Sequence, residues 1–299
     1  MRGTMKRYAA TIGFFDGVHR GHQYLVAQLR ACAASMGLPS MLITFDRHPR
    51  QVLHADYVPK LLSTLDEKVE LLWQTGVDEV RVLHFTPQMA AMDARSFMRD
   101  VLAGELHVAV LMMGYDHQFG HGGGTFPQYQ AWGAEAGIQV VRATGMPGPK
   151  VSSSAIRRLV SSGDVAGAAR LLGRDYMIAG TVVGGHHVGR GLGFPTANIV
   201  LPAGKMTPAS GVYAVSVLLP GGERRGGMLC IGNRPTLHNG EDVTVEVNIF
   251  DFRGDLYNKE IRVEFVGRLR DERAFPSVDA LRRQLAQDEF QARLLLGQA

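Results

Sequence analysis

Two cysteines, Cys32 and Cys230, are all that a chain of 299 residues contains. So few, set so far apart, exclude a disulfide framework and a thiolate zinc site, and they suit a reducing cytoplasm. No apolar run approaches the roughly 18 residues that a membrane span needs. The opening MRGTMKRYAATIGFF has the charge and apolar stretch of a signal peptide. It runs into Asp16 and His19 without a small-residue cleavage site, so no leader is expected. A one-sided charge is missing too: 32 Lys and Arg against 28 Asp and Glu leave a formal net charge of +4. Nucleic-acid binding normally needs a clustered basic patch, so that class is not expected, whereas a mild positive excess suits small anionic ligands. Neither a Walker lysine after a glycine loop nor a G-x-G-x-x-G spacing occurs. Internal repeats and low-complexity tracts are also lacking. What remains, 45% hydrophobic and 20% charged residues, is an ordinary globular composition, long enough for one large domain or two smaller ones.

The pattern changes partway along the chain. Residues 7 to 145 alternate strand and helix signals: AATIGFF, PSMLITF, VRVLHF, VAVLMMG and GIQVVRA read as buried strands. A helix is expected over 20–36. Thr64-Leu-Asp-Glu67 forms a capping box that opens another, running through Trp73 and stopping at Gly76. Such alternation predicts a parallel sheet covered by helices, with ligands beyond the carboxyl ends of its strands. Two short helices follow from about 152 to 172. After Tyr176 come short alternating strands with turn signals, MIAGTVVG, GVYAVSVLLPGGERRGGMLCIG, DVTVEVNIFDF and IRVEFVGRL, which predict an antiparallel barrel or sandwich. Ser277 caps a last amphipathic helix, 278–296. The expected boundary gives domains 1–174 and 175–299.

GFFDGVHRGH (13–22) sits at the seam between the first strand and helix. Two histidines at a helix start can simply be a cap and surface packing. The glycine-hinged turn gives a second reading. Backbone amides at Gly13, Phe15, Asp16 and Gly17 can approach a phosphate, the helix N-terminus favours an anion, and His19 and His22 can donate to phosphoryl oxygens. VSSSAIRRLV (151–160) offers a second grip through Ser152, Ser153 and Arg157, although serine caps and a solvated arginine would look the same. In GRGLGFPTANI (189–199), Gly189, Gly191 and Gly193 form either a turn-rich hairpin or a loop whose amides cover phosphates. Thr196 and Asn198 share one face of a strand, as a polar edge or as hard oxygen ligands suited to Mg²⁺. Glu246 lies in TVEVNIF, its neighbours Val245, Val247 and Ile249 facing the other way. His117 and His121 do not read as a metal pair, since Gly120 and the following glycines argue against a helix there.

Together these motifs identify a resemblance. GFFDGVHRGH has the H-x-G-H arrangement of adenylyl and cytidylyl transferases. Over essentially its whole length the chain resembles the bacterial bifunctional riboflavin kinases and FAD synthetases. The first half matches through GFFDGVHRGH, TFDRHPRQVL, GYDHQFG and VSSSAIR, the second through GRGLGFPTAN, GVYAV, IGNRPT and VEVNIFDF. The resemblance implies a Rossmann-like α/β nucleotidyltransferase domain followed by a small antiparallel β-barrel kinase domain with a C-terminal helix. It implies that the first joins FMN to the AMP of ATP, releasing pyrophosphate, and the second phosphorylates riboflavin. ATP, riboflavin, FMN and FAD would be substrates and products, with Mg²⁺ as cofactor. It makes Glu246 the catalytic base, His19 and His22 the catalytic pair of the other site, and Thr196 and Asn198 the metal ligands. Asp116, Phe119 and Gly120 become flavin contacts.

The chain departs from the family at several places: Phe14 for asparagine, Arg47 for proline, His117 for phenylalanine, Ser154 for threonine, and Asn248 where some relatives have histidine. Imidazole at 117 offers a flavin less apolar face. Trp73 and Trp132 read as helix residues rather than flavin platforms. Expected partners are small molecules alone, with no nucleic acid or membrane, and a monomer or weak homo-oligomer. A chain with one active domain, or a flavin-binding sensor with weak turnover, stays open as the alternative.

Overall fold

The structure, a computed structural model, describes residues 6–48, 51, 60–114, 119–184, 188–235 and 241–298. Contacts divide the chain into two compact units, Met1–Ser152 and Ser153–Ala299.

The first unit is built on five parallel strands: β1 (Tyr8–Ile12), β2 (Ser40–Phe45), β3 (Glu79–Leu83), β4 (Val108–Met113) and β5 (Gln139–Arg142). Their order is β3-β2-β1-β4-β5. All of β1 is buried, as are five of the six residues of β2, which is why these segments read as unbroken apolar runs. Helix α1 (Arg20–Ser35) follows β1, and α2 (Leu65–Trp73) precedes β3. The Thr64–Glu67 capping box is present, with Glu67 N donating to Thr64 Oγ1 (3.2 Å) and Thr64 N to Glu67 Oε2 (2.9 Å). The first strand, Tyr8–Ile12, stops short of the expected AATIGFF, because after Gly13 the chain leaves the sheet for the turn.

Between β3 and β4 the chain forms α3 (Pro87–Ala91), α4 (Ala94–Ser96) and a π-helical segment (Phe97–Glu105), closed by Leu106 N donating to Val101 O. Helix α5 (Phe126–Glu135) precedes β5. Trp132 on α5 packs against the core, whereas Trp73 is exposed.

In the second unit, α6 (Ser153–Ser161) and α7 (Val165–Leu172) come first. They lie against the barrel: Ala209 N donates to Val160 O and Arg268 Nη1 to Ser162 O. Six antiparallel strands then close into a barrel, β10-β7-β6-β11-β8-β9. They are β6 (Tyr176–Val183), β7 (Ala197–Val200), β8 (Gly211–Leu218), β9 (Arg224–Pro235), β10 (Glu241–Ile249) and β11 (Glu260–Arg270). A short helix, α8 (Val188–Leu192), precedes β7. Closure removes the sheet edges, and Tyr213, Leu229, Val247, Val263 and Phe265 fill the interior, each fully buried. Helix α9 (Val278–Leu295) closes the chain, with Ser277 Oγ accepting from Ala280 N as its cap. Arg270 on β11 ties α9 down: it donates to both oxygens of the buried Asp288 at 2.7–3.0 Å, and Gln284 adds a third donor at 2.8 Å.

Candidate active sites, one in each unit

In the first sheet the strand order reverses between β1 and β4, which is where an open parallel sheet binds its ligand. The turn after β1 lies at that point. Gly13 N still bonds Ile43 O (3.0 Å), and then the backbone turns sharply. Phe15 (φ 55°), Gly17 (φ 74°) and Val18 (φ 37°) all take left-handed conformations. For a β-branched residue such as Val18 this is strained, and the surroundings hold it. Asp16 is buried, and its Oδ1 accepts from Leu62 N (2.9 Å) and Ser63 N (3.2 Å). Gly17 N donates to Ser63 Oγ (3.1 Å) and Thr44 Oγ1 to Phe14 O (3.1 Å). The Asp16 side chain therefore braces the turn. What it can give a phosphate grip is the shape of the loop. Phe15 is buried as well, with its ring under Gly13, where a Cβ would come within 3.0 Å.

The turn delivers the two histidines to the start of α1. His19 is the N-cap, its Nδ1 accepting from His22 N at 3.3 Å. A neutral imidazole accepting at Nδ1 carries its hydrogen on Nε2. The two rings stack 3.6 Å apart at 15°, and Phe15 meets the His22 ring edge-on at 5.2 Å. Gly21 makes this possible, because a Cβ there would sit 3.2 Å from the His19 ring. The glycine inside H-x-G-H is thus what lets the first imidazole fold back over the helix N-terminus.

Other expected positions lie further along the chain. Asp46, after β2, accepts from Phe85 N (2.9 Å) and pairs with His84, joining the loops after β2 and β3. Burial works against its charge, but the Phe85 amide and His84 hold its carboxyl below the usual value. Phe119 packs on Tyr129 (4.8 Å) and Phe97 (5.7 Å), its backbone bonded both ways to the Tyr129 hydroxyl. Asp116 and His117 lie outside the described residues. Ser152 ends the first unit, and Ser153 and the half-buried Arg157 lie on α6.

Gly120 has φ +82°, and a Cβ there would stand 2.4 Å from Ala94 N. Gly122 has φ +79° with open space around it. Gly120→Ala is therefore expected to cost about 2–4 kcal/mol and Gly122→Ala only about 1–2 kcal/mol, from left-handed strain alone. Chemical denaturation of the two variants side by side measures the gap, and equal costs would mean that the close approach to Ala94 carries no weight.

In the barrel, register brings the second set together. Glu246 on β10 pairs across with Asn198 on β7 and with Cys230 on β9. Opposed residues of an antiparallel pair share a face, and Thr196 lies two positions from Asn198. Thr196 Oγ1 donates to Glu246 Oε2 at 3.3 Å. Val245, Val247 and Ile249 are buried on the opposite face, as the alternation required. Asn248, a departure from the family in sequence, is a positioning group: its Nδ2 donates to Pro195 O at 2.7 Å and pins the PTAN segment to β10. The glycine segment is not a fully open loop. Residues 188–192 make the short helix α8, closed off by Phe194 N bonding to Gly189 O (2.9 Å). A Cβ on Gly189 would meet that region at 2.3 Å from Phe194 O, while Gly191 and Gly193 have open space around them.

A cavity of about 620 Å³ opens over this face, with Thr196 and Glu246 at its polar end and Leu192, Phe194, Phe275 and Leu281 among its apolar walls. That is the size and lining of a small-molecule site. Burial, with Glu272 and Glu246 adding to it, pushes the Cys230 thiol up to about 11, which leaves it neutral and unreactive. Among the described residues no three His, Cys, Asp or Glu side chains gather as a metal site. The side-chain oxygens of Thr196 and Asn198 are of the kind that suits a hard divalent cation.

Profiles of two families match the chain in turn: FAD synthetase over residues 2–155 and riboflavin kinase over 172–296. Among curated relatives, the bifunctional riboflavin kinase/FMN adenylyltransferase of Escherichia coli K12 is 38% identical over 290 residues, covering 96% of this chain and 92% of that one. The chain belongs to this family. The enzyme of the same description from Haemophilus influenzae is 38% identical (94% and 91% covered), and that from Bacillus subtilis 35% (94% and 90%). A solved structure titled as a macrolide-efflux protein of Streptococcus pneumoniae superposes with a TM-score of 0.88 at 33% identity, covering 97% of this chain and 95% of that one. Its title speaks for that protein. Among the described residues of this family member no helix is long and apolar enough to cross a membrane. An α/β unit with a parallel sheet followed by a closed barrel and C-terminal helix is thus the family architecture.

Proposed function

We propose that the chain makes FAD from riboflavin in two ATP-dependent steps, with the kinase chemistry in 175–299 and the adenylyl transfer in 1–174. The observation that supports this reading is one polar cluster in each fold: a stacked histidine pair on a helix N-terminus at the switch point, and Thr196 bonded to Glu246 on the wall of a cavity of about 620 Å³.

In the adenylyl transfer the attacking group is the phosphate of FMN and the leaving group is pyrophosphate. No covalent intermediate is required. His19 and His22 donate to the phosphoryl oxygens as charge grows on them, with the α1 N-terminus adding its field. The amides of the 13–17 turn hold the nucleotide phosphates. Ser152, Ser153 and Arg157 are assigned to the same reaction on the strength of the VSSSAIR pattern, and Phe119 and Gly120, with Asp116, to flavin.

In the kinase reaction Glu246 takes the proton of the riboflavin 5′-hydroxyl as that oxygen attacks the γ-phosphorus of ATP. Its bond from Thr196 orients the carboxylate. The apolar walls of the cavity suit a flat tricyclic ring, and water is excluded as it fills. Thr196 and Asn198 would hold Mg²⁺, which when bound neutralises the phosphate charge of the nucleotide. A cytoplasmic protein without nucleic-acid partners fits these small-molecule reactions.

Riboflavin and ATP given to the purified protein should yield FAD. FMN alone would restrict activity to the barrel, and unchanged riboflavin would leave only flavin binding. Thr196→Ala and Asn198→Ala should each cut riboflavin phosphorylation about 10–100-fold and raise its magnesium requirement. FAD synthesis from added FMN should persist in both variants. An unaltered magnesium dependence would remove the pair from the metal site.

A further inference from the structure

Lys68 is a buried cation with few partners. It lies on α2, two per cent exposed, inside a protein whose other lysines are mostly on the surface. Its Nζ donates to Phe45 O at 2.7 Å, at the carboxyl end of β2. It also stands 4.0 Å from the centre of the Phe14 ring, which meets His48 in a T-shaped contact at 4.7 Å. Asp16 and Asp46 are close enough for their charges to act on it. Burying an ammonium is costly unless a counter-charge and good geometry offset the loss of water. Here the offset comes from the strand end, the ring of Phe14 and the two carboxylates. All of these belong to the segments that carry the first site. Phe14 takes the ammonium on the face of its ring.

We propose that Lys68 is a positioning residue for adenylyl transfer. Its ammonium, on the Phe14 ring and bonded to Phe45 O, ties the strained 13–19 turn after β1 to the end of β2, with its charge acting on Asp16, which braces that turn, and so fixes where His19 and His22 stand. This rests on the adenylyl-transfer reading of the N-terminal half. Lys68 does not touch the reacting atoms; it holds the brace behind them. The turn contains three left-handed residues, so it relaxes if its brace weakens. A shift of about 1 Å in a catalytic donor costs on the order of 10²-fold.

The test compares Lys68→Met, Asp16→Asn and the double variant in the full chain. Lys68→Met should lower kcat for FAD formation from FMN about 10²-fold, with KM for FMN and ATP within a few-fold and riboflavin phosphorylation unchanged. If Lys68 acts through Asp16, the double variant is no slower than the worse single one. A kcat within about twofold of wild type, or losses that multiply in the double variant, would overturn the proposal. A wild type that makes no FAD would overturn the adenylyl-transfer reading itself.

Should Lys68→Met leave the N-terminal half unfolded, the wild-type pH profile decides. Burial pulls the Lys68 pKa down to about 8, with Asp16 and Asp46 opposing the fall. The other groups around it are Asp66 and Glu67 on α2, Arg47, His48 and, through Asp46, His84. The ammonium is present below about pH 8 and lost above it, so kcat for FAD synthesis falls as pH rises through about 8, relative to riboflavin phosphorylation in the same tubes. A flat ratio to about pH 9.5 would overturn the role of Lys68.

Discussion

Glu246→Gln collapses riboflavin phosphorylation and spares FAD synthesis from added FMN. The substitution keeps the size of the side chain and leaves one oxygen able to accept from Thr196 Oγ1, as Glu246 Oε2 does now at 3.3 Å. The packing of β10 rests on Val245, Val247 and Ile249, which face the other way and are untouched. What disappears is a basic oxygen over the cavity. General-base assistance is worth typically about 10²–10⁴-fold, or about 3–5 kcal/mol of barrier. A carboxylate that only decorated the strand would cost about 0.5 kcal/mol or less. The lost interaction belongs to the transition state, so riboflavin affinity should stay within a few-fold while kcat falls. Turnover, riboflavin binding and FAD synthesis measured on one preparation separate the cases. Near-normal phosphorylation would remove Glu246 from the chemistry.

Much of this architecture can be read in the chain because its signals are local. The buried strands β1 and β2 announce themselves as apolar runs, and Thr64 and Ser277 mark helix starts through their own capping bonds. The H-x-G-H turn is legible for the same reason: a cap, a hinge and two rings within a few residues. Features set by contacts distant in sequence are not. Nothing in FMRDVLAGE signals the π-helical stretch that forms there. The GRGLG glycines suggest a loop, yet α8 forms there, closed by Phe194.

The kinase face depends on the β7–β10 register, which puts Thr196 beside a glutamate fifty positions away. Short strands bounded by turns do not specify that pairing. Asn248 was seen only as a departure, although its bond to Pro195 holds the same face. Lys68 could have been found: it shares a helix face with Leu71 and Leu72, three and four positions on, and periodicity points it inward with them. A lysine on an apolar stripe is a legible anomaly. Its partners, Phe45 and Phe14, become visible only once β1 and β2 lie side by side.

His22→Ala should abolish FAD formation and leave riboflavin phosphorylation intact. The argument rests on what the substitution keeps. His19 caps α1 by accepting from the backbone N–H of residue 22, which alanine retains at 3.3 Å from Nδ1. The helix start and the first imidazole should therefore survive. The losses are the second ring, its 3.6 Å stack on His19, its edge contact with Phe15, and one donor at the place where phosphoryl charge develops. Removing a preorganised donor of this kind costs on the order of 10²–10³ in kcat, about 3–4 kcal/mol of barrier. His19→Ala should be as slow and less stable too, since it also strips the N-cap, worth about 1 kcal/mol. The pair of variants thus tells chemistry from scaffolding: equal rate losses with unequal stabilities. The kinase reaction in the same chain reports whether the preparation is sound. Equal loss of both activities in His22→Ala would point to general damage. FAD synthesis within a few-fold of wild type would take His22 out of the site and leave the stacked pair as a helix cap alone.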